Sequence, residues 1–184
     1  NHPFGGMDGM MLADCLIGHF GDSRVIVNDL LMHIEPLRPL WVPVNKHGSQ
    51  NSAYARRFED VMSSNLPVLT FPAGLCSRRI DGKVTDLKWR TNFVKKAHQC
   101  NRQIVPIFVD GELSKFFYRL SNIRLKLGIK FNIEMLFLVD EMFKQRGKNF
   151  SIKVGKPISL EELSSKGNHH NQAEYVREMV YALK

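Results

Sequence analysis

Apolar positions follow two rhythms along this chain. Met7, Met10, Met11, Leu16, Ile17 and Phe20 recur at near-helical spacing behind a Gly5-Gly6 step, which predicts a helix over 7–20. Tyr54, Phe58, Val61 and Met62 place a similar stripe on 49–62, behind polar residues able to cap it. Trp89, Phe93, Val94 and Ala97 make a third, and further helical patterns cover 113–127, 132–146 and 172–183. Between them lie compact apolar runs of strand length, at 40–44, 67–71, 104–109 and 150–154. Such runs separated by helices predict an α/β protein with a mostly parallel central sheet flanked by helices. There is no internal repeat or long linker; 164–171, containing His169-His170, is the candidate mobile loop.

Composition narrows the class. The 184 residues suit one domain spanning 1–184, and 43% hydrophobic residues supply a core, which excludes a disordered tail. The longest purely apolar run, 135–139, has five residues, against the roughly 20 needed to cross a bilayer. Lys and Arg number 26 against 18 Asp and Glu, for a net charge of +8. The expected partner is therefore anionic: nucleic acid, a phospholipid surface or a phosphorylated substrate. No nucleic-acid module is recognisable, so no such partner is expected. The three cysteines, at 15, 76 and 100, lack C-x-x-C spacing, which argues against a disulfide framework or a metal site and for the cytoplasm. The chain opens at Asn1-His2-Pro3 with no initiator Met or signal peptide, and reads as truncated at its N-terminus.

Three segments carry candidate chemistry. In Asn1-His2-Pro3-Phe4-Gly5-Gly6-Met7-Asp8, an imidazole and a carboxylate flank a glycine turn ahead of a helix. Glycine lets such a turn fold back, so that Asp8 orients His2 as a general base, while the amides of Gly5, Gly6 and Met7 face a developing oxyanion. The same spacing also occurs in a histidine of an unstructured tail. In Phe71-Pro72-Ala73-Gly74-Leu75-Cys76-Ser77-Arg78-Arg79, a strand end runs into a glycine loop with two arginines. That pattern fits either an anion-binding loop or a solvated basic turn. Phe116, Phe117, Arg119, Arg124 and Lys126 mix aromatic and basic residues on a helical period, as on an anionic membrane surface or on an amphipathic helix against a sheet. Cys76 reads either as a low-pKa nucleophile or as an ordinary thiol.

Together the first two segments resemble the glycerolipid acyltransferase family, with its Asn-His-x-x-x-x-Asp and Phe-Pro-Glu-Gly-Thr-Arg-Ser motifs and a later Val-Pro strand, here Ile104-Val105-Pro106-Ile107. The likeness spans about 1–155 and is nearest to a haemolysin-like bacterial branch with an NHPxGG-type opening, FPAG, Asp-x-x-Trp (Asp86 to Trp89) and a VDEMF-like stretch (Val139 to Phe143). This sequence departs from the family pattern in three ways. Five residues instead of four separate His2 from Asp8, Ala73 and Cys76 replace the family Glu and Arg, and the strand expected before His2 is absent. The resemblance implies O-acyl transfer from acyl-CoA or acyl carrier protein to a lyso-lipid hydroxyl, with no bound cofactor or metal. It implies His2 as base and Asp8 as its orienting group, with acceptor and donor held by Lys46, Phe71, Pro72, Ala73, Gly74, Ser77, Arg78 and Arg79. The lost family Glu and Arg point to a lyso-aminolipid acceptor as an alternative to a lysophospholipid. The expected location is peripheral, on the inner face of the cell membrane. The competing reading is a non-catalytic basic lipid-binding module.

Overall fold

A computed structural model of the chain describes residues 1–44 and 52–184. Helix α1 (Gly6–Phe20) is capped at both ends by glycines with positive φ, Gly5 and Gly21; the Gly21 amide closes the last turn on the Ile17 carbonyl at 2.8 Å. The chain then enters β1 (Arg24–Asn28), the middle of a three-stranded parallel sheet. Its neighbours are β2 (Trp41–Val44), in register Val25 to Trp41, and β3 (Val68–Leu69), in register Val25 to Leu69. Helix α2 (Ser52–Met62) crosses between β2 and β3.

A hairpin follows, β4 (Arg78–Ile80) with β5 (Lys83–Thr85), turned by Asp81-Gly82 with φ of 48° and 78°. Paired positive φ values are what a tight two-residue hairpin needs, and Asp-Gly supplies them. After α3 (Asn92–Gln99) comes β6 (Ile107–Asp110), which pairs antiparallel with β7 (Ser151–Val154). Between those two strands lie α4 (Lys115–Lys126), a 3₁₀ turn at Ile133–Phe137 and α5 (Leu138–Phe143); α6 (Leu160–Ser164) and α7 (His169–Tyr181) finish the chain.

The α/β class holds, but the parallel part is three strands, and the strands expected within 104–109 and 150–154 pair with each other antiparallel instead. The single helix expected over 132–146 is a 3₁₀ turn followed by a short helix. The expected loop 164–171 is shorter: the Asn168 side chain accepts from the amides of His170 and Asn171 and starts α7 there.

Two apolar cores hold the fold. The larger joins Phe4, Leu12 and Ala13 to Val25, Trp41, Leu69, Cys76, Val109, Phe117 and Tyr118; the smaller gathers Ala73, Trp89, Phe108, Ile158, Leu163, Val176 and Val180. Phe4 belongs to the first, and its ring lies where a side chain on Gly111 would begin, 1.9 Å from the nearest ring atom. Only glycine at 111 admits that ring, so the N-terminal segment is pinned to the core beside the 1–8 turn.

Candidate active site

The turn predicted between His2 and Asp8 forms, and it forms on Gly5. With φ of 69° and ψ of −132°, Gly5 takes a conformation closed to side chains, and a Cβ there would lie 3.1 Å from the Leu138 side chain. The reversal absorbs the fifth intervening residue and brings His2 Nδ1 to 2.9 Å from Asp8 Oδ2. Asp8 is fully buried, and the same oxygen accepts the Phe4 amide at 2.9 Å. The His2 contact is an ion-pair distance without the alignment of a straight hydrogen bond, and Asp8 Oδ1 has no partner among the described residues. Burial pushes the Asp8 carboxyl above its ordinary value, opposed by His2 and the Phe4 amide. With Nδ1 turned to Asp8, Nε2 is the ring nitrogen left for a substrate proton.

The second segment braces the first. Phe71 lies against the His2 ring at 4.1 Å between centroids, and the Ser77 amide donates to the His2 carbonyl at 2.8 Å. Asp86 completes the brace: Oδ1 accepts the His2 amide at 3.1 Å and the Ser77 hydroxyl at 2.5 Å, while Oδ2 accepts the Trp89 indole at 3.0 Å. Asn1 ties the turn to β6, exchanging side-chain hydrogen bonds with both backbone groups of Val109 at 2.9 and 2.7 Å. In sequence, Asp86-x-x-Trp89 marked the spot without showing what it holds.

Several expected binding residues are engaged elsewhere. Arg78 is buried and donates to Glu134 Oε1 at 2.9 Å and to the Cys76 carbonyl at 2.8 Å, so its guanidinium is not a free fork for a head group. Ser77 is buried with its hydroxyl on Asp86, Ala73 sits in the smaller core, and the Pro72 carbonyl accepts from the Arg90 amide. Gly74 turns the loop with positive φ. Arg79 stays partly open, paired with Glu112 at 2.6 Å and stacked over Tyr118. Lys46 lies outside the described residues. Cys76 is buried and burial raises its pKa, which overturns the nucleophile reading.

Two residues expected on the membrane surface are inside. Phe117 is fully buried, because the inner face of α4 packs into the larger core. Arg124 is buried, because Glu134 accepts its Nε at 2.9 Å, making an Arg78–Glu134–Arg124 cluster. Glu134 stands alone in the apolar run Ile133-Glu134-Met135-Leu136-Phe137, and a lone acid in such a run is the signal for a buried ion pair. Phe116, Arg119 and Lys126 are exposed as expected.

At the amino end of a helix on an α/β scaffold, the structure thus sets a buried carboxylate behind an imidazole, and a second carboxylate holds the imidazole's backbone. The chain belongs to the acyltransferase family, whose model matches residues 1–184. It is 45% identical over all 184 residues to a lyso-glycine lipid O-acyltransferase of Phocaeicola vulgatus and equally to one of Bacteroides thetaiotaomicron. The chain spans 66% and 68% of the lengths of these two relatives. No solved structure matches it.

Proposed function

We propose that this chain carries the transfer centre of an enzyme that moves a fatty acyl group from acyl-CoA or acyl carrier protein to the hydroxyl of a lyso-lipid. The observation that carries the reading is the His2–Asp8 pair closed at 2.9 Å around a turn one residue longer than the family pattern. His2 Nε2 takes the hydroxyl proton, and the oxygen attacks the thioester carbonyl carbon. The oxyanion of the tetrahedral intermediate faces the amides of Gly5, Gly6 and Met7, where α1 opens. Collapse breaks the C–S bond, and the departing thiolate takes the proton from His2, so no acyl-enzyme is needed. The Arg78–Glu134–Arg124 cluster, with a net positive charge, lies just behind Cys76, whose side chain borders Gly5. Its field favours the oxyanion.

The names of the two relatives support a lyso-lipid acceptor with an amino-acid head group, as does the absence of a free arginine where the family pattern has one. On this reading the enzyme works at the inner face of the cell membrane, where a single-chain lipid resides. A purely lipid-binding module would leave the Asp8 arrangement without a use, since a half-satisfied carboxylate held inside the protein costs stability.

The test offers the full-length protein labelled acyl-CoA or acyl carrier protein with lyso-glycine lipid and lysophosphatidic acid. Ester formation with at least one acceptor, abolished in His2→Ala, is the expected result. Acylation of no lyso-lipid, or full activity in His2→Ala, overturns the proposal.

A further inference from the structure

The segment between β6 and β7 has two faces of opposite character. Its inner face is bound to the site: Leu138 packs on Gly5, Met135 Sδ lies 3.8 Å from Cys76 Sγ, and Glu134 and Glu141 are buried in ion pairs. Its outer face is unpartnered. Among the described residues, ten of the fifteen exposed large apolar side chains fall within 116–143, among them Leu136 at 71% and Phe143 at 66% exposure. Val139 and Phe143 share one face of α5 by their spacing of four, and Leu136 is exposed in the 3₁₀ turn just ahead of it. Phe116 of α4 meets Phe137 of the 3₁₀ turn edge-on at 5.1 Å, and Lys144, just past α5, lies over Phe116, so the exposed surface of α4 runs on to both ends of α5. Soluble monomers seldom expose so much contiguous apolar surface without a partner.

The charge pattern indicates what covers it. Within 115–148, seven basic residues are exposed, Lys115, Arg119, Lys126, Lys130, Lys144, Arg146 and Lys148, against one exposed acid, Asp140. A face meant for burial beneath another part of the same protein has no need of a basic border; apolar side chains ringed by Lys and Arg are what an anionic bilayer interface selects. A bilayer partner also follows from the acyl-transfer reading above, since its acceptor lies in one. We propose that the outer face of α4, α5 and the chain between them inserts into the interface of an anionic bilayer. Leu138 on the inner side then sets that interface against the turn that carries His2, so an acceptor needs to rise only as far as its head group.

The test is sedimentation of the full-length protein with phosphatidylcholine vesicles, with and without phosphatidylglycerol. The triple variant Leu136→Glu, Val139→Glu, Phe143→Glu is expected to lower partitioning at least about tenfold. Lys126→Glu with Lys130→Glu should lower it about as much on the anionic vesicles alone, an effect that high salt erases. In case the triple variant folds poorly, Phe143→Trp provides a second measurement. Its fluorescence should be quenched by brominated lipid beyond that of the wild type, whose Trp41 and Trp89 are buried. Wild-type partitioning by the triple variant, or a tryptophan at 143 untouched by brominated lipid because other parts of the chain cover it, overturns the proposal. His2→Ala should sediment like the wild type, so docking is judged apart from acylation: a protein that binds vesicles but acylates no lyso-lipid refutes only the acyl-transfer reading.

Discussion

Asp8 and Glu141 are both wholly buried carboxylates, and their surroundings treat them in opposite ways. Glu141 has every oxygen answered: Oε2 accepts the Ser114 amide at 2.6 Å, and Oε1 accepts the Ser114 hydroxyl at 2.6 Å and Lys144 at 2.9 Å. Burial pushes its pKa up, but these donors outweigh burial and hold it below its ordinary value. It therefore works as a clamp between α5 and the start of α4. Asp8 keeps one oxygen unanswered, has one bent contact to an imidazole, and is pushed up by burial. A group that only holds the fold is saturated with donors; on the proposed reaction Asp8 changes partners, and a shortage of donors suits that role.

The sharpest way to break this contrast is to alter both members of the dyad. His2→Ala and Asp8→Asn should each lower turnover by about 10²-fold or more, with the double variant little worse than the more damaging single one, because an unaimed base and an absent one fail alike. Steady-state kinetics on the single and double variants check this, and multiplicative effects would dissolve the unit. Next in size is the Arg78–Glu134–Arg124 cluster. Glu134→Gln leaves two buried guanidinium groups facing each other without a counter-charge, and should destabilise by about 3–5 kcal/mol in denaturant melts. Replacing all three by apolar residues, with Arg78→Met, Glu134→Leu and Arg124→Met, should recover most of that loss. If the triple replacement stays as unstable as Glu134→Gln, the cluster does more than neutralise itself.

The His2–Asp8 contact is legible in the sequence because it is local: two side chains, six positions apart, on a turn whose glycines announce it. The long-range partners are not. Nothing near Arg78 shows that it pairs with a carboxylate 56 positions on, so it reads as a free anion binder. The same hidden partner explains Arg124, which helical spacing alone places on an outer face. The central strand β1 is hidden in the sequence for a different reason. Arg24-Val25-Ile26-Val27-Asn28 has only three apolar residues between polar ends, too few to stand out, yet pairing on both edges makes it the middle of the sheet. The β4–β5 hairpin is masked by the arginines around it, although Asp81-Gly82 is a turn signal.

pH separates the two carboxylates without touching catalysis. Asp8 is raised in the fold, so its contribution to stability is present below its unfolded value and is lost as pH rises through its folded one; near neutrality it is a cost. Glu141 is lowered, so its contribution is present above its unfolded value and is lost as pH falls through its folded one. Thermal melts over an acidic-to-neutral series should find Asp8→Asn more stable than the wild type near neutrality, and Glu141→Gln less stable there, with the deficit shrinking in acid. Destabilisation by both substitutions at neutral pH would mean that Asp8 is as structural as Glu141.

The smallest expected effect separates the two neighbouring arginines along the same line. Arg78 is enclosed and paired with a buried acid, so its loss is a matter of stability. Arg79 is about one-third exposed, held by Glu112, which is itself open to solvent, and stacked 5.2 Å from the Tyr118 centroid. Exposed pairs are worth about 0–1 kcal/mol, so Arg79→Ala should barely move the melting temperature. On the proposed function its guanidinium is the group of this segment that trades Glu112 for an anionic head group, so Arg79→Ala should raise the acceptor KM by about threefold to tenfold with kcat nearly unchanged, in line with the loss of one charge-assisted contact at a wet site. Arg79→Lys keeps the charge but loses the planar fork and most of the stacking, so it should restore only part of the affinity. An unaltered acceptor KM in Arg79→Ala would remove the loop from head-group recognition and leave both arginines with structural work.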